Sequence, residues 1–226
     1  MKLFSKTTLA LCALAGAASA AQANSVHASF VDVTGSVSFD GWNEINRTGL
    51  GCGNDSACST AKLVAGITAN VAGSGDAVLA RASGNHYPAG AGLYGSSSVL
   101  TFTDTTVAAN IGKLVFQGII NNFDSPFSLT LSYNGGSQAL AATSSTFVAA
   151  GNAADLYTFT WDLTGLSALS SYQLSLNAGF TQMLAFQVDQ VSVTAVPEPS
   201  TYAMLAGGMA LVGFVARRRQ RAAAAV

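Results

Sequence analysis

Tyr157-Thr158-Phe159-Thr160-Trp161-Asp162-Leu163 alternates large apolar side chains with polar ones along its whole length. Successive side chains of an extended strand point to opposite faces, so a period of two marks a strand with one buried face. The pattern recurs on both sides of this stretch. Upstream, Phe127, Leu129, Leu131 and Tyr133 alternate with Ser128, Thr130 and Ser132. Downstream, Tyr172, Leu174 and Leu176 alternate with Gln173 and Ser175. Leu184, Phe186 and Val188 continue it, and then the apolar phase moves to Val191 and Val193. That slip predicts a β-bulge near Asp189-Gln190. Leu114 to Ile120 and Val99 to Thr103 read as strands buried on both faces.

Turn formers separate these runs, notably Tyr133-Asn134-Gly135-Gly136 and Asp162-Leu163-Thr164-Gly165. The first half is less regular, and Gly73 to Ser98 reads largely as loop. No amphipathic helix is expected away from the two termini, and no internal repeat is present. Short strands spaced by Gly, Ser and Asn predict an all-β fold, an antiparallel β-sandwich. The last strand, Phe186 to Val193, resembles the closing strand of jelly-roll domains in secreted carbohydrate-binding modules.

The ends of the chain differ from this middle. Lys2 and Lys6 precede an apolar stretch from Leu9 to Ala18, closing on small residues, as a secretory signal peptide requires. Cleavage after Ala20 or after Ala23 both place small residues before the cut. At the other end, Pro197-Glu198-Pro199 is followed by the uncharged run Thr201 to Ala216 and then by Arg217-Arg218-Arg219-Gln220-Arg221. As a helix that run spans ~24 Å, somewhat less than a ~30 Å hydrocarbon core. Snorkelling arginines and local thinning cover the difference. The arginines belong on the cytoplasmic side, which puts the rest of the chain outside. The two prolines hold an extended segment before the helix, open to processing.

The run VPEPSTYAMLAGGMALVGFVARRR, Val196 to Arg219, resembles the PEP-CTERM sorting signal, also described as the ice-binding protein C-terminal domain. The resemblance implies a Gram-negative bacterial protein anchored transiently in the inner membrane. It further implies recognition of Pro197-Glu198-Pro199 by an exosortase-type membrane protease, with Arg217, Arg218 and Arg219 as the basic stop. Release to the cell surface or medium would follow, often beside exopolysaccharide. The expected organisation is a signal peptide over 1–23, an extracytoplasmic β-domain over 24–194 and the sorting signal over 195–221.

Residues 24–196 carry Arg47, Lys62, Arg81 and Lys113 against ten acidic residues, a net charge of −6. Without a basic patch, the domain has no footprint for nucleic acid. Cys52 and Cys58 survive export inside a turn-rich segment, and an oxidising compartment favours a disulfide between them. Two thiols without a neighbouring histidine make a poor zinc site.

No catalytic constellation is visible, so the expectation is a protein that is not an enzyme and needs no cofactor. His27 and His86 are the chain's histidines, and His86 reads as a turn residue. A hydrolase built on His86 needs a serine and an orienting acid beside it. Glycoside hydrolysis needs paired carboxyl groups, whereas Glu44 is the lone glutamate of the β-domain. Asp104, Asp124 and Asp189 lie at or near predicted strand ends and are candidates for a structural calcium ion, against the plainer reading of solvated loop acids. Trp42, Tyr87 and Tyr94 sit in Gly-rich or polar surroundings off any alternating run and are candidates for stacking on sugar rings. For Trp42 the plainer reading is a loop tryptophan folded over the sandwich edge. Trp161 belongs to the core. The function expected is a non-enzymatic surface or matrix protein, with a carbohydrate-binding module, calcium-dependent or not, as the alternative.

Overall fold

A computed structural model describes residue 30 and residues 33–122, 128–149 and 154–192. Its elements begin with β1 (Ser36–Trp42), α1 (Ser56–Ala65), β2 (Ile67–Thr68), β3 (Val78–Ser83), β4 (Tyr87–Pro88), β5 (Leu93–Gly95) and β6 (Ser98–Asp104). They continue with β7 (Ile111–Asn122), β8 (Ser128–Tyr133), β9 (Leu140–Ala141), β10 (Ser144–Val148), β11 (Asp155–Asp162), β12 (Tyr172–Ala178) and β13 (Thr181–Ser192). Every pairing among them is antiparallel.

Two sheets form. One runs β10-β11-β7-β13-β5-β4, with β1 also on β13; the other runs β2-β3-β6-β12-β8-β9. The length of β13 allows one edge to carry two partners, β5 along Thr181–Met183 and β1 from Phe186 to Val191. The inward residues of both sheets make one core. In it Phe102 packs edge to face on Trp42, Phe116 and Phe186, with ring centroids 5.4, 5.2 and 5.0 Å away. Edge-to-face contact sets a positive ring edge against a negative ring face, a gain beyond area burial.

The alternating runs become β8, β11 and β12, as the period of two requires; β13 forms as well, but it is buried on both faces, and a register shift sets Leu184 off from Phe186 and Val188. Leu114, Phe116 and Ile120 of β7 enter the main core, while Val115, Gln117 and Ile119 are buried on the opposite face. That opposite face holds a second cluster of Phe30, Phe39, Ile119, Leu156 and Ala185. The expected turns are present: Asn134 and Gly135 take φ of 52° and 67°, and Gly165 takes 83°.

Four expectations need correction or refinement. First, β6 is buried on one face only, since Val99, Thr101 and Thr103 are half-exposed between buried neighbours. Second, β13 carries no extra residue at Asp189-Gln190; the irregularity lies on its partner, where β1 inserts Val37 between Ser36, opposite Val191, and Ser38, opposite Gln190. Against β7 the register of β13 shifts between Met183 and Ala185 and again between Val191 and Ser192. The polar Gln190 simply holds a core-facing position and so hides the continuing alternation. Third, the loop-rich span Gly73 to Ser98 also holds three short strands, β3, β4 and β5. Fourth, α1 forms where no helix was expected. The Asp55 side chain caps its start by accepting from the Ala57 and Cys58 N–H groups at 2.8 and 3.1 Å. Gly66 ends it at φ 109°, where an added Cβ would meet Val78 at 2.6 Å. Ser59 and Leu63 are its buried residues, too short a stripe to signal a helix.

Candidate functional site

Of the three candidate sugar-stacking residues, Trp42 is corrected first. It ends β1 rather than sitting in a loop, is wholly buried, and donates from Nε1 to the Ile67 carbonyl at 2.9 Å. Its polar sequence neighbours Asp40 and Asn43 concealed a core position. A ring enclosed in this way offers no face to a sugar. Tyr87 and Tyr94 are strand residues as well, since they are register partners in the β4–β5 pair. Their rings lie 6.3 Å apart, and Phe180 joins them at 5.4 Å from Tyr94. Phe180 carries no alternating signal, because it sits in the turn between β12 and β13, and it was not anticipated. Both of these contacts are edge to face, so these rings do not align as one flat platform.

The acidic candidates separate. Asp124 lies outside the described residues. Asp189 is not near a strand end but inside β13, fully buried, accepting from Ser36 Oγ at 2.8 Å and Gln187 Nε2 at 2.7 Å. Asp104 does end β6, but it too is buried, receiving Gln190 Nε2 at 2.6 Å and the Thr106 N–H at 2.7 Å. Solvated loop acids therefore describe neither residue. Neighbours along a strand point to opposite faces, which sends Asp189 away from the core-facing Gln190 and Asp104. Among the described residues no three carboxylates, imidazoles or thiols are grouped closely enough to hold a metal ion.

Asp40 was not anticipated as part of this region. It is fully buried, with Oδ1 accepting from the Ala77 N–H at 3.1 Å and Oδ2 without a hydrogen-bond partner among the described residues. Burial pushes its carboxyl up to about 7; the Ala77 hydrogen bond opposes this, and repulsion from Asp104, Asp76 and Asp189 reinforces it. Tyr172 is buried nearby, its hydroxyl beside the Gln190 side chain but without a well-formed hydrogen bond. Burial, with the repulsion of Asp40 and Asp104, keeps that hydroxyl protonated well above its usual range. The single sequence signal for Asp40 was its place two residues before Trp42 on one strand face.

His86 lies in the connection between β3 and β4, where a turn residue is expected, and it is buried. Its Nε2 lies 2.9 Å from Thr181 Oγ1, its N–H donates to Ser98 Oγ at 2.9 Å, and Nδ1 has no partner among the described residues. Burial holds the imidazole down at about 4, with Arg81 repelling the charged form and the Thr181 contact favouring it. A serine nucleophile on Nε2 and an acid on Nδ1 are what a triad needs, and threonine and nothing described stand there.

Cys52 and Cys58 are joined by a disulfide, with Cα atoms 5.8 Å apart. It ties the segment before α1 to the helix's first turn. Two clefts indent the outer side of the second sheet. One, about 360 Å³, has Thr103, Gln173 and Ser132 in its wall; the other, about 500 Å³, has Ser83, Asn177 and Ser128.

Pro197, Glu198, Pro199, Arg217, Arg218 and Arg219, the expected signal peptide and the expected membrane helix lie outside the described residues. Among the described residues no helix is long and apolar enough to cross a membrane. Residues 195–219 match the family model of the PEP-CTERM protein-sorting motif. The motif implies export and exosortase-dependent, membrane-associated sorting toward the cell surface. No curated protein and no solved structure matches the chain.

Proposed function

We propose that this chain is a non-enzymatic protein of the cell surface or extracellular matrix in a Gram-negative bacterium, associated there with exopolysaccharide. The observation that carries the reading is the sorting-motif match over 195–219. Within it Pro197-Glu198-Pro199, an uncharged run and Arg217-Arg218-Arg219 follow in the order that recognition, anchoring and cutting would use. An exosortase-type membrane protease is the processing partner, and the inner membrane holds the intermediate. The uncharged run enters the bilayer and the arginines stay with the cytoplasmic headgroups. The disulfide supports work in an oxidising compartment. The jelly-roll class remains part of this proposal, supported by the antiparallel pairing and by the closing strand β13.

The test is to replace Pro197, Glu198 and Pro199 together by alanine in the producing organism and to fractionate the cells. The parent chain should collect at the surface or in the medium, and the variant should stay in the inner membrane. Equal distribution of the two would defeat the reading.

A second reading, a carbohydrate-binding module, draws on Tyr87, Tyr94 and Phe180. These rings lie together, and Phe180 is exposed. Loss of sugar binding in Tyr94→Ala with Phe180→Ala would promote it.

A further inference from the structure

The outward positions of β6, β12 and β8 are hydroxyl and amide side chains apart from Val99. The middle row across the strands, in register, is Ala80, Thr101, Ser175, Thr130 and Ala141. To one side of it, Thr103, Gln173 and Ser132 align; to the other, Val99, Asn177 and Ser128. Strands stand ~4.8 Å apart and alternate residues ~6.8 Å, so these rows form a lattice of short side chains. The face carries hydroxyl and amide groups, and none of these positions holds a charge. Small alanines stand at both margins of the middle row. Gln173 and Asn177 are exposed, and Ser175 between them is half-exposed. The two clefts lie at opposite ends of this face, one walled by Thr103 and Gln173 and the other by Asn177 and Ser128.

We infer that the outer face of β6, β12 and β8 binds a neutral polysaccharide chain, laid along the strands from cleft to cleft and crossing the Thr101–Ser175–Thr130 row, whose hydroxyls it meets. This deepens, and rests on, the proposed association with exopolysaccharide. Three observations select the occupant. Donors and acceptors without charge match hydroxyls rather than carboxylates or phosphates. The domain's net charge of −6 disfavours close approach by a polyanion. A face continuous between two end clefts suits an extended polymer better than a single sugar. Within the middle row Thr101 Oγ1 reaches the Ala80 carbonyl at 3.5 Å; in the flanking row Gln173 Nε2 donates to Thr103 Oγ1 at 3.2 Å and Ser132 Oγ donates to the Gln138 carbonyl.

The experiment uses the full chain in detergent and two probes, the neutral and the acidic polysaccharide fractions purified from the producing organism and immobilised. Thr101→Val, Ser175→Ala and Thr130→Val together delete three hydroxyls while keeping strand-forming shapes at the two threonine positions. Binding of the parent to the neutral fraction, weakened by about tenfold or more in this triple variant at an unchanged melting temperature, is the expected result. Tyr94→Ala with Phe180→Ala should bind as the parent does. Equal binding by the triple variant and the parent would overturn the inference. So would preference for the acidic fraction, or loss of binding in the aromatic variant alone. If the triple variant does not fold, Ser175→Arg, which plants a bulky charge on the middle row, takes its place with the same expectation. A parent that reaches the surface yet binds neither fraction overturns the face and leaves the sorting reading standing. A parent never sorted to the surface defeats that reading, while the purified chain still decides the face.

Discussion

Along β7 and β13 the first sheet is buried on both sides, whereas along β6, β12 and β8 the second is buried on one. The doubly covered strands hide even Gln117, Gln187 and Asp189. The singly covered strands turn threonine, serine and amide groups outward in every register row but for Val99. One sandwich therefore has a sheet whose composition is set by packing and a sheet with a face that packing leaves free. Freedom from packing is where specificity can be written, because side chains there can change without unfolding the domain.

The comparison breaks most visibly at Trp42. Replacing it by alanine should cost about 3–5 kcal/mol, since the change opens a cavity between Phe102 and the Ile67 carbonyl. Urea unfolding of the variant measures this, and a loss under 1 kcal/mol would put Trp42 outside the core.

Asp40 sharpens the comparison through pH. Its folded pKa, about 7, lies above the ordinary 3.8, so the folded state holds its proton more tightly. Its contribution to stability is full below about 4 and is lost as pH rises to about 7, by up to a few kcal/mol. His86 has the opposite sign. Its folded pKa of about 4 lies below 6.5, so stability is gained as pH rises between the two. The two slopes oppose in the parent. Asp40→Asn should therefore expose a rise in urea midpoint from pH 4 to 6.5, and should gain on the parent throughout that range. A parent and variant with parallel pH profiles would show that Asp40 is ionised in both states.

The disulfide lies outside both sheets, and its effect should be smaller. Cys52→Ser with Cys58→Ser should lower stability by about 2 kcal/mol in the chain-entropy view, read from the same unfolding curves. Smallest of all, Ser175→Ala on the outer face should stay within ~0.5 kcal/mol of the parent.

How far the fold could be read from residues depended on which face each strand shows. Where one face meets water, as in Tyr172 to Leu176 or Leu129 to Tyr133, alternation is a direct image of burial. Where a core position is polar, the image fails: Gln190 imitated an extra residue in β13, and Asp40 beside Gly41 disguised β1 and with it Trp42. The helix α1 depends on an Asp55 cap and a Gly66 stop rather than on a stripe, and two buried residues in ten give no readable period. Of the candidate site residues, the cysteine pairing was legible because chemistry alone fixes it. Tyr87 and Tyr94 lie off any alternating run in the sequence, yet they are partners in the short β4–β5 pair. Phe180 and the acidic end of the core depend on long-range register, which no local pattern contains.

The most direct test of the central account, delivery through a processed tail, is the intact mass of the protein recovered from the cell surface. The account predicts a chain lacking both the leader, cut after Ala20 or Ala23, and the segment from Thr201 to Val226. A surface protein whose mass retains that apolar segment and its arginines would contradict it.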